Sequence, residues 1–249
     1  MSCICVLGMH RSGTSCLTGI MQSFGVELGE VFTENAANKR GNRENSRIVE
    51  LNEALLKKNS GAWYRPVVVS RWSWLQMRQR KQIISQLQAN AAGPNAAGQW
   101  GFKDTRTLFT LDFWLEGIAK TSEAVSFIGT FRHPHRVALS LHKRDNAPID
   151  QCWELWHTYN IRLLELAKNN NFPLVDFDLP ADEYLEDVLT KLIQLGLDKD
   201  KAANARKFFD ADLRNQAQTP VDTVALPAHV TELYQALQDY NKAYQPLKD

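Results

Sequence analysis

Short apolar runs alternate along this chain with longer stretches in which apolar residues recur every third or fourth position. The short runs predict buried strands, and the longer stretches predict amphipathic helices. Strands that alternate with helices are typical of a parallel sheet covered by helices, so the pattern predicts an α/β fold. The runs assigned to strands are residues 3–7, 100–103, 124–131 and 172–177.

The helical spacing of apolar residues predicts most of the remaining structure. The polar segment 27–46 is too long for an ordinary connection, so it is either a mobile or a functional loop. Further breaks are expected near Gly196 and over residues 216–227. In chain order, a first helix is predicted to begin near Gly13, and further helices are predicted over residues 47–58, 75–91, 111–118, 134–144 and 150–169. Most of the chain after residue 177 is also predicted to be helical.

Composition and charge restrict the classes of function. The 249 residues are 44% hydrophobic and no repeat or linker divides them, so we predict one domain over residues 1–249. The net charge of +1 gives no overall attraction to nucleic acid or to an anionic membrane, so any affinity for a polyanion must be local. Four cysteines lack the density of a disulfide scaffold and the spacing of a zinc site.

No apolar run approaches the roughly 20 residues of a membrane span, and the N-terminal apolar stretch is too short for a signal peptide. We expect a cytoplasmic protein with reduced thiols, no membrane span and no nucleic-acid partner.

The first candidate site follows the first predicted strand. The sequence Gly8-Met9-His10-Arg11-Ser12-Gly13-Thr14-Ser15 has the spacing of the phosphate-binding loop of nucleotide triphosphatases, but Thr14 stands at the lysine position. Backbone N–H groups at the helix start still bind an anion, whereas the lysine that reaches the β- and γ-phosphates of ATP is lost. Arg11 supplies a cation instead, and its planar guanidinium can bind two oxygens. We expect this loop to bind a phosphate group other than those of ATP.

The second candidate site follows the predicted strand 124–131. Arg132 stands directly after this strand, and Ser140 lies about two turns into the helix that begins at Pro134. Open parallel sheets bind ligands at the carboxyl ends of their strands, so an arginine and a hydroxyl placed here can converge on one phosphate. The alternative is that Arg132 caps a neighbouring element and that Ser140 is only a small residue tolerated in a helix.

Together these motifs resemble those of the sulfotransferases that use 3′-phosphoadenosine-5′-phosphosulfate. In that family a Lys/Arg-Ser-Gly-Thr-Thr/Ser loop binds the 5′-phosphosulfate, and an arginine with a serine eight residues later binds the 3′-phosphate. The sequence Lys103-Asp104-Thr105-Arg106 is similar to the family's Lys-Asp-Pro element, with Thr105 where proline is common. The arginine form of the loop resembles that of protein-tyrosine sulfotransferases and many bacterial sulfotransferases. The C-terminal Gly-x-x-Gly-x-x-Lys element of the cytosolic members has no counterpart here.

The resemblance implies a three-layer, P-loop-NTPase-like α/β fold with a central parallel sheet flanked by helices. It implies 3′-phosphoadenosine-5′-phosphosulfate as donor, adenosine 3′,5′-bisphosphate as product and direct in-line transfer to a hydroxyl or amine, with no metal. The motifs do not identify the acceptor: a carbohydrate, a small metabolite and a peptide tyrosine all remain open, and the bacterial style of the loop favours the first two. The residues implied to bind the donor are Arg11, Ser12, Gly13, Thr14, Ser15, Arg132 and Ser140.

The catalytic candidates are Glu44, Lys103, His10 and Arg11. Glu44, in a segment similar to the Asn-x-x-Gly-x-x-Glu of bacterial relatives, is the first choice as general base. It can instead begin the following helix, and His10 or Asp104 then becomes the base. Lys103 is expected to hold the sulfuryl oxygens or the leaving bridge oxygen, with a solvated lysine at a strand end as the alternative.

Several side chains have structural interpretations. Arg106 is expected to anchor a loop by pairing with Asp104 or Glu44, and Arg214 is a candidate for a further 3′-phosphate contact. The tryptophans at 114, 153 and 156 are expected in the core. The aromatic residues over 63–74 either line an acceptor pocket or cover the sheet edge.

The sequence leaves two alternatives to a sulfotransferase. A small-molecule kinase with a degenerate loop would turn over ATP with magnesium and would give Arg132 and Ser140 no role. A non-catalytic nucleotide-binding protein would bind adenosine 3′,5′-bisphosphate without turnover.

Overall fold

The computed structural model describes residues 2–32, 41–93, 98–121, 124–209 and 224–246. Within these ranges the sheet has four parallel strands in the order β2-β1-β3-β4. The predicted α/β fold is confirmed, and each strand falls on one of the predicted apolar runs. The strands are β1 (Ser2–Gly8), β2 (Gln99–Lys103), β3 (Ala124–Phe131) and β4 (Leu174–Asp176).

The helices follow the predicted spacing of apolar residues. Within the described ranges, none of them has the length and hydropathy needed to cross a bilayer. The four cysteines, all within the described ranges, form no disulfide bond there. The helices are α1 (Thr14–Ser23), α2 (Ser46–Lys58), α3 (Trp74–Ala91), α4 (Thr107–Ala119), α5 (Pro134–Asp145), α6 (Ile149–Asn170), α7 (Ala181–Gln194), α8 (Ala202–Phe208, after a single 3₁₀ turn) and α9 (Ala228–Ala243).

Two cores lie on opposite faces of the sheet, as the alternation of side chains along a strand requires. Cys3, Cys5 and Leu7 of β1 pack into one core with helices α2 to α6 and α9. Ile4 and Val6 pack into the other core with α1, α7 and α8. The sheet is therefore the middle layer of three, as the sequence predicts.

Parallel pairing brings the carboxyl ends of the strands to one edge of the sheet. Gly8, Lys103 and Phe131 end their strands there, and the loops that follow carry the candidate residues of both motifs. A Cβ on Gly8 would lie only 2.6 Å from the carbonyl oxygen of Thr130. The close approach of β1 to β3 at this edge therefore requires glycine.

The tryptophans predicted for the core lie there in two cases of three. Trp114 and Trp156 are fully buried, whereas Trp153 is partly buried against the same core. The Trp156 indole donates to the carbonyl oxygen of Arg132 at 2.9 Å. This bond fixes the backbone of Arg132 at the point where it leaves the sheet.

Candidate functional site

The loop between β1 and α1 has the shape of an anion cradle. Arg11 and Gly13 adopt left-handed backbone conformations with φ of 66° and 84°, and Gly13, the N-cap of α1, has no side chain that could cap the first N–H groups of the helix. The Ser12 carbonyl accepts a 2.8 Å bond from the Thr130 hydroxyl, whereas the buried Ser12 hydroxyl has no hydrogen-bond partner among the described residues. A Cβ on Gly13 would overlap the ring of Phe177, so that position also requires glycine.

The two predicted motifs meet at Arg11. Its Nε donates to Ser140 Oγ at 2.7 Å, and Arg132 Nη1 donates to its carbonyl oxygen at 3.4 Å. Burial lowers the pKa of the Arg11 guanidinium, and the nearby charge of Arg144 lowers it further. The structure thus brings together the arginines and the serine that the sequence singled out, with Arg11 between the other two.

Asp178 is a part of this cluster that the sequence analysis missed. Its carboxylate accepts from Arg136 at 2.7 Å, from the backbone N–H of His133 at 2.6 Å and from Arg132 Nε at 3.4 Å. The Arg132 guanidinium also lies 5.2 Å from the ring centre of Phe177. Asp178 therefore holds Arg132 against the first loop. The only signal in the sequence is an acidic residue two positions beyond a strand end.

Lys103 and Glu44 form a partly enclosed ion pair beside the first loop. Lys103 Nζ lies 2.7 Å from Glu44 Oε1, and the two side chains are 4% and 12% exposed. Lys103 also donates to the carbonyl oxygen of Asn42 at 3.2 Å. The same carbonyl oxygen accepts a second hydrogen bond from the Ser15 hydroxyl at 3.1 Å. Because Lys103 is buried, the alternative of a solvated lysine at a strand end is wrong.

Glu44 does not begin the next helix. Asn45 is the N-cap of α2, and its side chain accepts from the backbone N–H of Arg47 at 3.1 Å. Glu44 therefore precedes the helix and points to Lys103. Residues 38–40 of its motif lie outside the described residues.

His10 lies beside the ion pair in an aromatic setting. Its Nε2 is 2.8 Å from the Thr105 hydroxyl. Its ring centre lies 5.2 Å from that of Trp63 and 5.8 Å from that of Tyr159. The Tyr159 hydroxyl donates to the Trp63 carbonyl at 2.7 Å, so Trp63 is held at the site.

The pKa of His10 lies well below its ordinary value. Burial is the main cause, followed by the positive charges of Arg106, Arg144, Lys103 and Arg11. His10 is therefore uncharged at neutral pH, and its low basicity makes it a weak proton acceptor.

In His10→Gln, the free energy of unfolding should fall less steeply than in the wild type as the pH drops below neutrality. The unfolded chain protonates this histidine near pH 6.5, whereas the folded chain does so only at lower pH. The contribution of His10 to the free energy of unfolding is therefore complete above about pH 6.5. It falls by about 1.4 kcal/mol per pH unit as the pH drops toward the pKa of His10 in the folded chain. Urea unfolding at a neutral and a mildly acidic pH measures this slope. Exposed His142→Gln is the control, and an unchanged slope in His10→Gln would contradict the assignment.

Asp104 points away from the ion pair. Its fully buried carboxylate accepts from Arg106 Nη1 and from Asn52 Nδ2, each at 2.8 Å. The prediction that Arg106 pairs with Asp104 or Glu44 is confirmed for Asp104. The other terminal nitrogen of Arg106 pairs with Glu53 at 2.7 Å. Asp104 thus anchors the loop after β2.

The described ranges hold no group of three or more histidine, cysteine or acidic side chains arranged to bind a metal ion. Arg214 lies outside those ranges, as does most of the predicted break over 216–227.

The fold has a counterpart among solved structures. The chain is similar to the sulfotransferase domain from the Synechococcus PCC 7002 olefin synthase, with a TM-score of 0.55 and 16% sequence identity, over 96% of this chain and 94% of that one. The fold is sulfotransferase-like. No family model matches the sequence, and no curated protein matches it. At this identity, the likeness shows the fold alone.

Proposed function

We propose that this chain is a sulfotransferase that transfers a sulfuryl group from 3′-phosphoadenosine-5′-phosphosulfate to a hydroxyl or amine acceptor. The observation that carries the proposal is the bond from Arg11 Nε to Ser140 Oγ, with Arg132 on the Arg11 carbonyl. This contact joins a loop of phosphate-binding spacing to an arginine–serine pair more than a hundred residues away. A kinase would give the second motif no such role.

The residues present suit this donor. The uncapped start of α1 and the unpartnered hydroxyl of Ser12 offer donors to the 5′-phosphosulfate, together with Gly13, Thr14 and Ser15. Arg132 and Ser140 would hold the 3′-phosphate. Because Arg132 already pairs with Asp178, its guanidinium is oriented before the nucleotide binds.

The proposed step is a direct displacement at sulfur. The acceptor oxygen or nitrogen bonds to sulfur while the bond from sulfur to the bridging phosphate oxygen breaks, and the acceptor proton passes to Glu44. Positive charge from Arg11, Lys103 and the helix start stabilises the charge that develops on the sulfuryl and leaving oxygens. By analogy with phosphoryl transfer, positioning and electrostatics suffice without a covalent intermediate. The leaving product is adenosine 3′,5′-bisphosphate.

The surroundings of His10 bear on the acceptor. Trp63 lies edge-on to His10, and the Arg144 guanidinium lies 5.1 Å from the centre of its indole ring. An aromatic ring beside the site can pack against a sugar ring. This arrangement agrees with a carbohydrate or small-metabolite acceptor.

Arg132→Ala tests the assignment of the 3′-phosphate. It should weaken binding of adenosine 3′,5′-bisphosphate by roughly 10- to 100-fold, the value of a hydrogen bond to a charged group, and should change adenosine 5′-monophosphate binding little. Calorimetric titration of both nucleotides measures the difference. Arg136→Ala is the control, because Arg136 shares Asp178 but is not assigned to the nucleotide. Equal losses for the two nucleotides would remove Arg132 from the 3′-phosphate site.

A further inference from the structure

The charge of this chain is unevenly distributed. Residues 54–103 contain eight lysines and arginines and no acidic residue. The rest of the chain, with 21 basic and 28 acidic residues, carries −7. The near-neutral total therefore conceals a strongly basic segment.

Most of these basic side chains face solvent and have no counter-ion in the described part of the chain. Arg80 is buried and pairs with Glu116, and Lys103 pairs with Glu44. The other six are exposed, and none has a carboxylate of the described chain within 4.0 Å. They are Lys57, Lys58, Arg65, Arg71, Arg78 and Lys81.

Hydrogen bonds gather these cations onto one surface. Asn59, next to Lys58, donates to the Arg71 carbonyl at 2.8 Å and accepts from the Arg71 N–H at 3.1 Å. Arg65 folds back to the Ser60 carbonyl at 3.3 Å. Arg78 and Lys81 share a stripe of α3 with Trp74, since they follow it at helical spacing. We call the exposed residues of 57–81 the basic–aromatic face.

Large apolar side chains are exposed on the same face. Trp74 is 68% exposed, Tyr64 66%, Leu75 56% and Val68 50%. The Arg78 guanidinium lies 5.8 Å from the centre of the Trp74 ring. A polar polyanion would meet the cations, but it would leave this apolar surface without a matching environment. Exposed tryptophan and leucine among arginines and lysines are typical of a protein surface that enters the headgroup region of a membrane.

We propose that the basic–aromatic face docks on the surface of a membrane that contains anionic phospholipid. Trp74 and Leu75 enter at the headgroup level, and the surrounding cations lie over lipid phosphates. The face borders the candidate site, because Tyr64 follows Trp63 and Trp63 contacts His10. A sulfotransferase docked there would meet acceptors carried by lipids. That consequence rests on the proposed function, whereas the docking does not.

Co-sedimentation with vesicles tests the docking. The full chain should bind vesicles of mixed phosphatidylcholine and phosphatidylglycerol, should not bind phosphatidylcholine alone, and should be released by salt. R71Q/R78Q should weaken binding to the mixed vesicles roughly 30-fold, since each basic residue near an anionic surface contributes about a fivefold change in affinity. K168Q/K207Q makes the same charge change at exposed positions of α6 and α8 and should leave binding unchanged. Equal weakening by both pairs, or no vesicle binding, would overturn the proposal.

A second pair of variants separates a membrane from a soluble acidic partner. W74S/L75S should weaken vesicle binding and leave binding of poly-L-glutamate unchanged, because only the membrane takes up the apolar side chains. If W74S/L75S bound vesicles like the wild type, the face would be a site for a soluble polyanion and the proposal would be wrong. Circular dichroism and thermal melting check that these exposed substitutions leave the fold intact.

Discussion

Glu44→Gln should lower kcat by roughly 10²- to 10⁴-fold, the usual contribution of a general base, and should leave the affinity for adenosine 3′,5′-bisphosphate unchanged. Glutamine has nearly the same shape, and its amide oxygen can still accept from Lys103. The Lys103 bond to Asn42 and the Asn42 bond to Ser15 therefore stay in place. What the amide cannot do is take the acceptor proton.

The measurement is kcat at saturating donor, with nucleotide affinity determined by calorimetry on the same preparations. Glu53→Gln is the matched control, because Glu53 is a neighbouring carboxylate that pairs with Arg106 and is not assigned to the reaction. Turnover near the wild-type rate in Glu44→Gln would show that Glu44 is not the general base.

Arg11→Ala should have the largest effect in the first loop, with a loss of roughly 10³- to 10⁵-fold in kcat by analogy with arginines that stabilise phosphoryl transfer. The change removes the charge next to the transferring group and the bond to Ser140. Alanine can take the same positive φ at no greater strain than arginine, so the loop should keep its backbone conformation.

Arg11→Lys separates charge from geometry in that experiment. Lysine keeps the positive charge but loses the planar fork, so it should restore only part of the rate. Exposed Arg47→Ala serves as the control. If Arg11→Ala weakened nucleotide binding while kcat at saturation stayed unchanged, Arg11 would bind the donor without stabilising the transfer.

The fold was largely predictable from local patterns. Strand β3 has the bounds predicted for residues 124–131, because its apolar run ends at Arg132 and a proline two residues later begins a helix. Strand β4 is shorter than predicted. Phe172 and Phe177, at the ends of its apolar run, are buried in the two cores without forming part of the strand. A hydrophobic run shows burial, but it does not show at which residue a strand ends, and the Phe177 N–H still donates to the Phe131 carbonyl at 2.9 Å just beyond β4.

The site was predictable in part, for a physical reason. Arg11 and Arg132 each follow a strand and Lys103 ends one, and parallel strands bring their carboxyl ends together whatever the distance along the chain. No comparable rule predicts which side chains on distant loops will pair with these residues. Asp178 and the pairing of Glu44 with Lys103 depend on how distant loops fold over the sheet edge, which periodicity does not show.

The contact from Thr105 to His10 was missed for the same reason. The sequence showed Thr105 only as a departure from a family motif. Its hydroxyl reaches His10 because β1 and β2 end side by side, and Val6 lies opposite Lys103 in that register.

The most direct test of the account is a calorimetric titration of adenosine 3′,5′-bisphosphate without metal, beside a titration of ATP with magnesium. The account predicts micromolar-range binding of the bisphosphate and weaker or no binding of ATP, because Thr14 replaces the loop lysine while Arg11, Arg132 and Ser140 form one cluster. A preference for ATP with magnesium would contradict the account and would favour the rival function of a small-molecule kinase.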